Sequence, residues 1–339
     1  MKKHIALFIS LCLAFSLQAQ VLPNFGGERA GLSTLSFLKN DLNPRSVALG
    51  GASVSLSGDG YSVLSNPAAL TDIENTTLSL SHLVIGAGIH QSLASFALPL
   101  NNKVSALALS VNSLNSGEME ERTEFQPTGT GRKVFVSHMA SSLTYSRKLS
   151  SVFNAAVSLK YIYESMAEFT NHYMAVDVGF LYKTDFKDLK FAVMVQNFGG
   201  NSTLSKNEDI PVLFNRDTGI NLGANTVPTV FSLGLSLVPF KQEKQSLMAA
   251  VQLNHPNDNA ENLRFGLEYE LRELFYARAG YKLSVAHQSY PTFGVGIRTR
   301  VGAHPLMFDY SINPTQYMGF QQSIGLRLAL NNDSRSEER

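Results

Sequence analysis

The sequence predicts an all-β fold, a closed 14-stranded antiparallel transmembrane β-barrel with a short helical plug near its N-terminus. Three observations carry this reading: the length of the candidate strands, their strict two-residue alternation, and the sorting of loops by length. The candidates cover roughly residues 76–84, 89–98, 103–113, 136–149, 151–165, 172–183, 188–198, 228–238, 246–254, 261–272, 274–283, 291–301, 304–312 and 319–330. Most exceed the 5–6 residues or so usual in soluble sheets. They match the roughly 9–11 residues that a tilted strand needs to cross a bilayer.

Composition bounds the class before any strand is read. Charged residues make up 16% of the chain, well below the roughly 25% of soluble domains. Yet no run beyond residue 20 approaches the ~20 apolar residues of a spanning helix. The net charge of +1 gives no electrostatic case for nucleic acid. Trp is absent, so any aromatic girdle must be built from Phe and Tyr.

In chain order, residues 1–19 read as a removable export signal. Lys2 and Lys3 form the basic region, residues 5–15 the apolar region, and Leu17-Gln18-Ala19 fits a cleavage site. Cys12 is the only cysteine and lies inside that signal, which removes disulfides and thiol chemistry from the mature chain. Residues 20–75 form a lead-in and plug. Within them, residues 44–70 form a long segment that fails to alternate. Asn43-Pro44 starts a short helix, Gly50-Gly51 stops it, Asp59-Gly60 marks a turn, and Asn66-Pro67 opens another helical turn. The plug is expected to enter the barrel from the periplasmic side.

Residues 76–330 form the barrel. In 262–271, Leu263, Phe265, Leu267, Tyr269 and Leu271 share one face, opposite Asn262, Arg264, Gly266, Glu268 and Glu270. In 319–330, Phe320, Ile324, Leu326, Leu328 and Leu330 oppose Gln321, Ser323, Gly325 and Arg327. An apolar-out, polar-in alternation is the barrel pattern; a soluble sandwich would carry the same pattern with its faces inverted. Loop parity breaks that tie. Connections from even to odd strands are all short. The two longest, residues 114–135 and 199–227, both run from odd to even, as outer-facing loops of a membrane barrel do. Residues 331–339 form a polar tail, expected to be disordered in the periplasm.

A set of short motifs runs through the whole mature chain: LSFL at 35–38, ALGGA at 48–52, NPAAL at 66–70, TGTG at 128–131, DVGFLYKT at 177–184, QNFGG at 196–200, HPNDN at 255–259, GLEYEL at 266–271 and RAGYKL at 278–283. In order and spacing they resemble the PorV/PorQ family of outer-membrane proteins, whose members include components of the type IX secretion system. The NPA motif also resembles the N-terminal hatch of FadL-type transporters, which are 14-stranded barrels. One departure is Ser65, where family members often carry an aromatic residue. The resemblance implies an outer-membrane protein that engages exported proteins or secretion machinery through loops 114–135 and 199–227. The alternative it implies is a FadL-like channel for hydrophobic small molecules, recognisable by an apolar tunnel between plug and wall.

The candidate site residues fall in two groups. Asn66, Pro67 and Ala68 either line a gate or simply build a turn, with Asn as cap, Pro in the first turn and Ala where nothing larger packs; the turn is the expectation. Lumen-face charges are Lys160, Glu164, Asp177, Arg264, Glu268, Arg278, Lys282, Arg298 and Arg327. They either select a solute or pair with one another and with the plug. Pairing is expected, because lone charge in a confined space is costly. Arg45 of the plug is the expected partner of Asp177 or Glu268. His255-Pro-Asn-Asp-Asn259 reads as an outer turn rather than a metal site. The acidic stretch 118–124 lies in an outer loop, solvated or facing a partner. No nucleophile elbow is present, so no enzyme, cofactor or metal is expected, and the partner expected besides proteins is outer-membrane lipid.

Overall fold

The computed structural model describes residues 33–56, 58–100, 103–167, 169–203, 205–206, 224–285, 288 and 290–330. The export signal, the polar tail and much of the loop 199–227 therefore lie outside the described residues.

Fourteen strands form the wall. They are β1 Thr76–Gly86, β2 Ile89–Leu100, β3 Ser105–Asn115, β4 Val136–Lys148, β5 Phe153–Met166, β6 Phe169–Lys183 and β7 Lys190–Phe198. The second half comprises β8 Val230–Gln242, β9 Gln245–Pro256, β10 Asn262–Leu271, β11 Phe275–Leu283, β12 Thr292–Val301, β13 His304–Thr315 and β14 Gly319–Leu330. Each pairs antiparallel with its neighbour in sequence. The wall closes where β1 meets β14, from Thr76 opposite Leu330 to Val84 opposite Gln322. Closure leaves no sheet edge, as strands in lipid require.

The faces are sorted as a membrane demands. Leu109, Leu159 and Phe293 point outward, at 58%, 55% and 52% exposure. Ser79, Ser158, Asp309 and Ser323 point inward and are fully buried. A polar interior under an apolar outer band excludes a sandwich, whose core would be apolar. The short turns gather at the end where β1 begins and β14 ends, which is the periplasmic end. The β8–β9 connection is shorter than its sequence suggests, since β8 runs on to Gln242 through a bulge between Leu237 and Phe240.

Inside the wall the described part of the plug, from residue 33 on, runs the length of the lumen from the outer rim to the periplasmic end, and the expected entry from the periplasm falls on residues outside the described ones. Ser33 bridges to Thr226, and its hydroxyl donates to Asp258 in the outer turn after β9. Lys39 also reaches Asp258, at 2.6 Å. From this outer rim the chain descends through a 3-10 turn (Ser36–Lys39), helix α1 (Pro44–Ala48), helix α2 (Ser62–Ser65) and a second 3-10 turn (Pro67–Asp72). It leaves at the periplasmic end, where Asp72 meets Lys183 and Thr71 accepts a bond from Asn154 at 2.6 Å. These long-range contacts set the direction, and no local pattern encodes them.

Local chemistry shapes each piece. The Asn43 side chain accepts from the Arg45 amide at 3.0 Å and caps α1, with Pro44 in its first turn. Gly50 and Gly51 then take φ +66° and +81°, conformations that favour glycine. Gly50 lies backbone against backbone, since a Cβ on Gly280 of β11 would lie 2.0 Å from its nitrogen, while Gly51 packs against the Arg264 side chain. The ALGGA segment is thus fitted closely to the β10–β11 wall, with Leu49 seated on Gly266 and Gly50 on Gly280.

Candidate functional site in the plugged lumen

Polar groups organise the lumen in three places. At the periplasmic half, Arg45 grips Glu268 of β10 with two bonds, of 2.8 and 2.6 Å. Glu268 also accepts from Arg278 of β11 at 2.6 Å, and Arg278 reaches Asp309 of β13 at 2.6 Å. Asp309 accepts from Arg327 of β14 at 3.1 Å, Arg327 donates to Asp59 of the plug at 2.8 Å, and Asp59 lies 3.9 Å from Arg45. Three guanidiniums and three carboxylates thus form a closed, neutral ring that joins the plug to four strands. In this setting Arg45 is held charged above its ordinary range; burial alone would lower it, and the adjoining Glu268 and Asp59 outweigh that. Asp59 and Asp309 were not among the residues singled out from sequence, although Asp309 alternates with Phe308 and Tyr310 and so carries the inward-facing signal.

Tyr61 sits beside this ring, fully buried, donating to the carbonyls of Leu80 and Leu326 at 2.6 and 3.2 Å. Burial pushes its phenol well above the ordinary range.

The second place is the β6–β7 wall. Lys160 of β5 lies 2.6 Å from Asp177 and donates to Asn197 at 2.9 Å, while the Asn197 amide donates to Asp177 at 2.7 Å. Asn197 adopts φ +57° at a register shift where β7 bulges. Nearby, Glu164 lies 3.2 Å from His138, whose ring stacks on Phe37 of the plug at 5.0 Å. Asn66 belongs to the lower part of the same side. Its oxygen accepts from the Ala68 amide at 3.1 Å, and its nitrogen donates to the carbonyls of Val54 and Phe180 at 2.9 and 3.1 Å. Pro67 and Ala68 are buried beside it, and a Cβ on Gly179 of β6 would strike the Asn66 oxygen.

The third place is a cavity of about 240 Å³ between the plug and the outer half of the wall. Asp41, Ser53, Lys160, Asn197, Gln252, Asn254 and Arg264 are among its lining residues. Its lining is mixed, since Leu38, Leu64, Ala140 and Val230 face it beside these polar groups. The apolar part of the outer lumen lies elsewhere, where Leu83, Ile85, Leu93, Leu114, Ile162 and Tyr173 turn inward, and Leu35, Phe37 and Leu38 of the plug fill it.

One sequence expectation is corrected. Arg298 does not face the lumen; it is exposed at the periplasmic rim, 3.8 Å from Glu273 in the β10–β11 turn. The strand parity was right, but β12 has left the confined region by residue 298. Arg264 and Lys282 do face inward, directly opposite each other on β10 and β11. His255 lies 2.8 Å from Glu261, and the described residues hold no cluster of three potential metal ligands.

No protein-family model matches the sequence, and no curated protein matches it. Solved structures do share its fold. The Pseudomonas putida toluene transporter TodX aligns over 84% of this chain and 96% of its own, with 14% identity and a TM-score of 0.55. The Ralstonia pickettii toluene transporter TbuX aligns over 86% and 98%, at 12% identity and TM-score 0.53. A Pseudomonas aeruginosa FadL homologue aligns over 88% and 98%, at 11% identity and TM-score 0.50. The fold is therefore that of FadL-like outer-membrane barrels, and the chain is an outer-membrane protein.

Proposed function

We propose that the protein is a FadL-like outer-membrane channel that admits a small solute from the cell surface into the cavity between the plug and the outer half of the wall. The observation that carries this is the combination of a full-length plugged barrel with an open chamber on its outer side, in the fold of transporters for toluene and a FadL homologue. Passage requires the plug to move, and the segment to displace is Leu35–Phe37–Leu38, which fills the apolar part of the outer lumen. Within this reading residues 1–19 are the export signal, 20–75 the lead-in and plug, and 331–339 a periplasmic tail. The ring of charges and Asn66-Pro67-Ala68 hold the plug and do not touch the solute, and the protein carries out no covalent chemistry. The test compares uptake of labelled hydrocarbons and small organic acids by cells with and without the protein. Faster entry of at least one class is expected; identical rates for all of them would refute the channel.

A second reading has its own observation. The long outer loop folds into a hairpin in which Met119–Glu120 pairs with Lys133–Val134, and Phe125 at its far end is 94% exposed among acidic residues. A projecting aromatic suits contact with exported proteins, in line with the PorV/PorQ resemblance. Shortening this hairpin while monitoring the surface proteome separates the two readings: lost surface proteins with unchanged uptake would favour partner binding.

A further inference from the structure

The outward face of the wall breaks its own pattern at one place. Leu78 and Leu80 of β1, Phe96 and Leu98 of β2, and Leu109 and Val111 of β3 face lipid. Toward the outer ends of the same strands, the same face carries His82 on β1, Ser92 and His90 on β2, and Ser113 on β3. Polar side chains at these positions run against the apolar-out rule of a membrane barrel. Such departures from a fold's own pattern are expected at functional sites.

The two histidines stand diagonally across the β1–β2 ladder, because His82 is opposite Ser92 and Val84 is opposite His90. Their ring centroids are 5.6 Å apart, with 37° between the planes. Each ring is held through Nδ1. That of His90 lies 3.2 Å from the Gly88 carbonyl, and that of His82 lies 2.9 Å from the Ser92 hydroxyl. A carbonyl can only accept, so the neutral His90 ring carries its proton on Nδ1 and leaves the Nε2 lone pair open. The Ser92 hydroxyl can accept from His82 in the same way. Among the described residues, neither Nε2 has a hydrogen-bond partner. Histidines that bind metals donate their other ring N–H to an acceptor of this kind. With tetrahedral angles and Zn–N bonds of about 2.0–2.1 Å, two imidazoles on one ion stand roughly 5–5.5 Å apart between centroids. The spacing seen here is already close to that.

We propose that His82 and His90 form a two-histidine site on the outer face of the wall for a divalent transition-metal ion, Zn²⁺ or Cu²⁺, with water at the remaining positions. Imidazole nitrogen selects these ions over Mg²⁺ and Ca²⁺, which take oxygen ligands. The site faces away from the lumen and is independent of what crosses the barrel. A bound ion cross-links β1 to β2, and β1 is also the strand that seals against β14, so the ion braces the wall beside its closing seam.

The test is calorimetric titration of Zn²⁺ into the purified, folded barrel in detergent, free of any histidine tag, with Mg²⁺ as the comparison ion. One Zn²⁺ per barrel should bind, and excess Mg²⁺ should not displace it. S92A should weaken Zn²⁺ about tenfold, the lower end of what loss of a supporting partner costs, and H82Q and H90Q should each weaken it further. H255Q, which removes the histidine beside Glu261 in the outer turn, should change nothing. Heat-shifted gel migration shows that each variant is folded. Electron paramagnetic resonance of Cu²⁺ on the parent barrel supplies a readout that needs no variant, and it should show two nitrogen ligands. Absence of Zn²⁺ binding, binding undiminished in both histidine variants, loss of binding in H255Q, or a single nitrogen ligand on Cu²⁺ would each overturn the site.

Discussion

Asn66 shows how a single buried amide can join three parts of a chain. It caps the turn that follows, ties back to Val54 in the plug and reaches across to the β6 carbonyl of Phe180. Replacing it with Ala leaves two buried carbonyls and one amide without partners, at about 1–3 kcal/mol. An Asn66→Ala variant should lower the unfolding free energy measured in denaturant by that amount; an unchanged value would show that the amide is dispensable. Asp309 lies between two arginines and is fully buried. Asp309→Asn should cost about 3 kcal/mol or more, since it leaves Arg278 and Arg327 sharing too little negative charge. Asp41 gives a pH prediction. Burial raises its carboxyl above the ordinary value, and the Ser46 and Asn43 bonds only partly offset this. An acid with a raised native value folds more favourably when protonated, so its contribution falls as pH rises from about 3.8, the ordinary value, through the native one. Asp41→Asn should flatten that part of the stability profile relative to the parent; an equal slope would mean that other groups set it. Residue roles were the least legible part of the sequence. Strand parity identifies which charges face inward, but pairing depends on where the plug lies. Asp59, in a loop with no alternation, reads only as a turn residue and carries no sign of which way it faces.

Elements were far more legible than residue roles. All 14 strands follow from period-two alternation, because lipid outside and a polar lumen inside impose opposite demands on successive residues. What alternation cannot give is where a strand ends, so β8 and β9 run closer together than expected. Nor can it give the course of the plug. The helical turns were readable from Asn-Pro and Gly-Gly pairs, but the anchoring of Ser33 and Lys39 on Asp258 joins residues more than two hundred positions apart. The contact of ALGGA with β10 and β11 is equally long-range and makes a sharp prediction. A side chain on Gly280 would meet the Gly50 backbone at 2.0 Å. Gly280→Val should let the wall form while unseating the plug, seen as raised ion conductance in planar bilayers. Gly200→Ala, with nothing within 4 Å, should conduct like the parent. A silent Gly280→Val channel would show that the plug seats without this contact.

At the scale of the whole molecule, the barrel is a polar interior inside an apolar belt, crossed from end to end by its own N-terminal segment. The six-membered ring binds chain regions from both ends, Arg45 and Asp59 at one and Asp309 and Arg327 at the other. That has a consequence for assembly. Until β14 is in place, Asp309 and Asp59 lack Arg327, and the interior carries uncompensated charge. The last strand to leave the translocation machinery is thus the one that completes charge balance around the first segment to arrive. Sealing of the β1–β14 seam and seating of the plug become a single event, so a misregistered closing strand is penalised inside the lumen as well as along the seam.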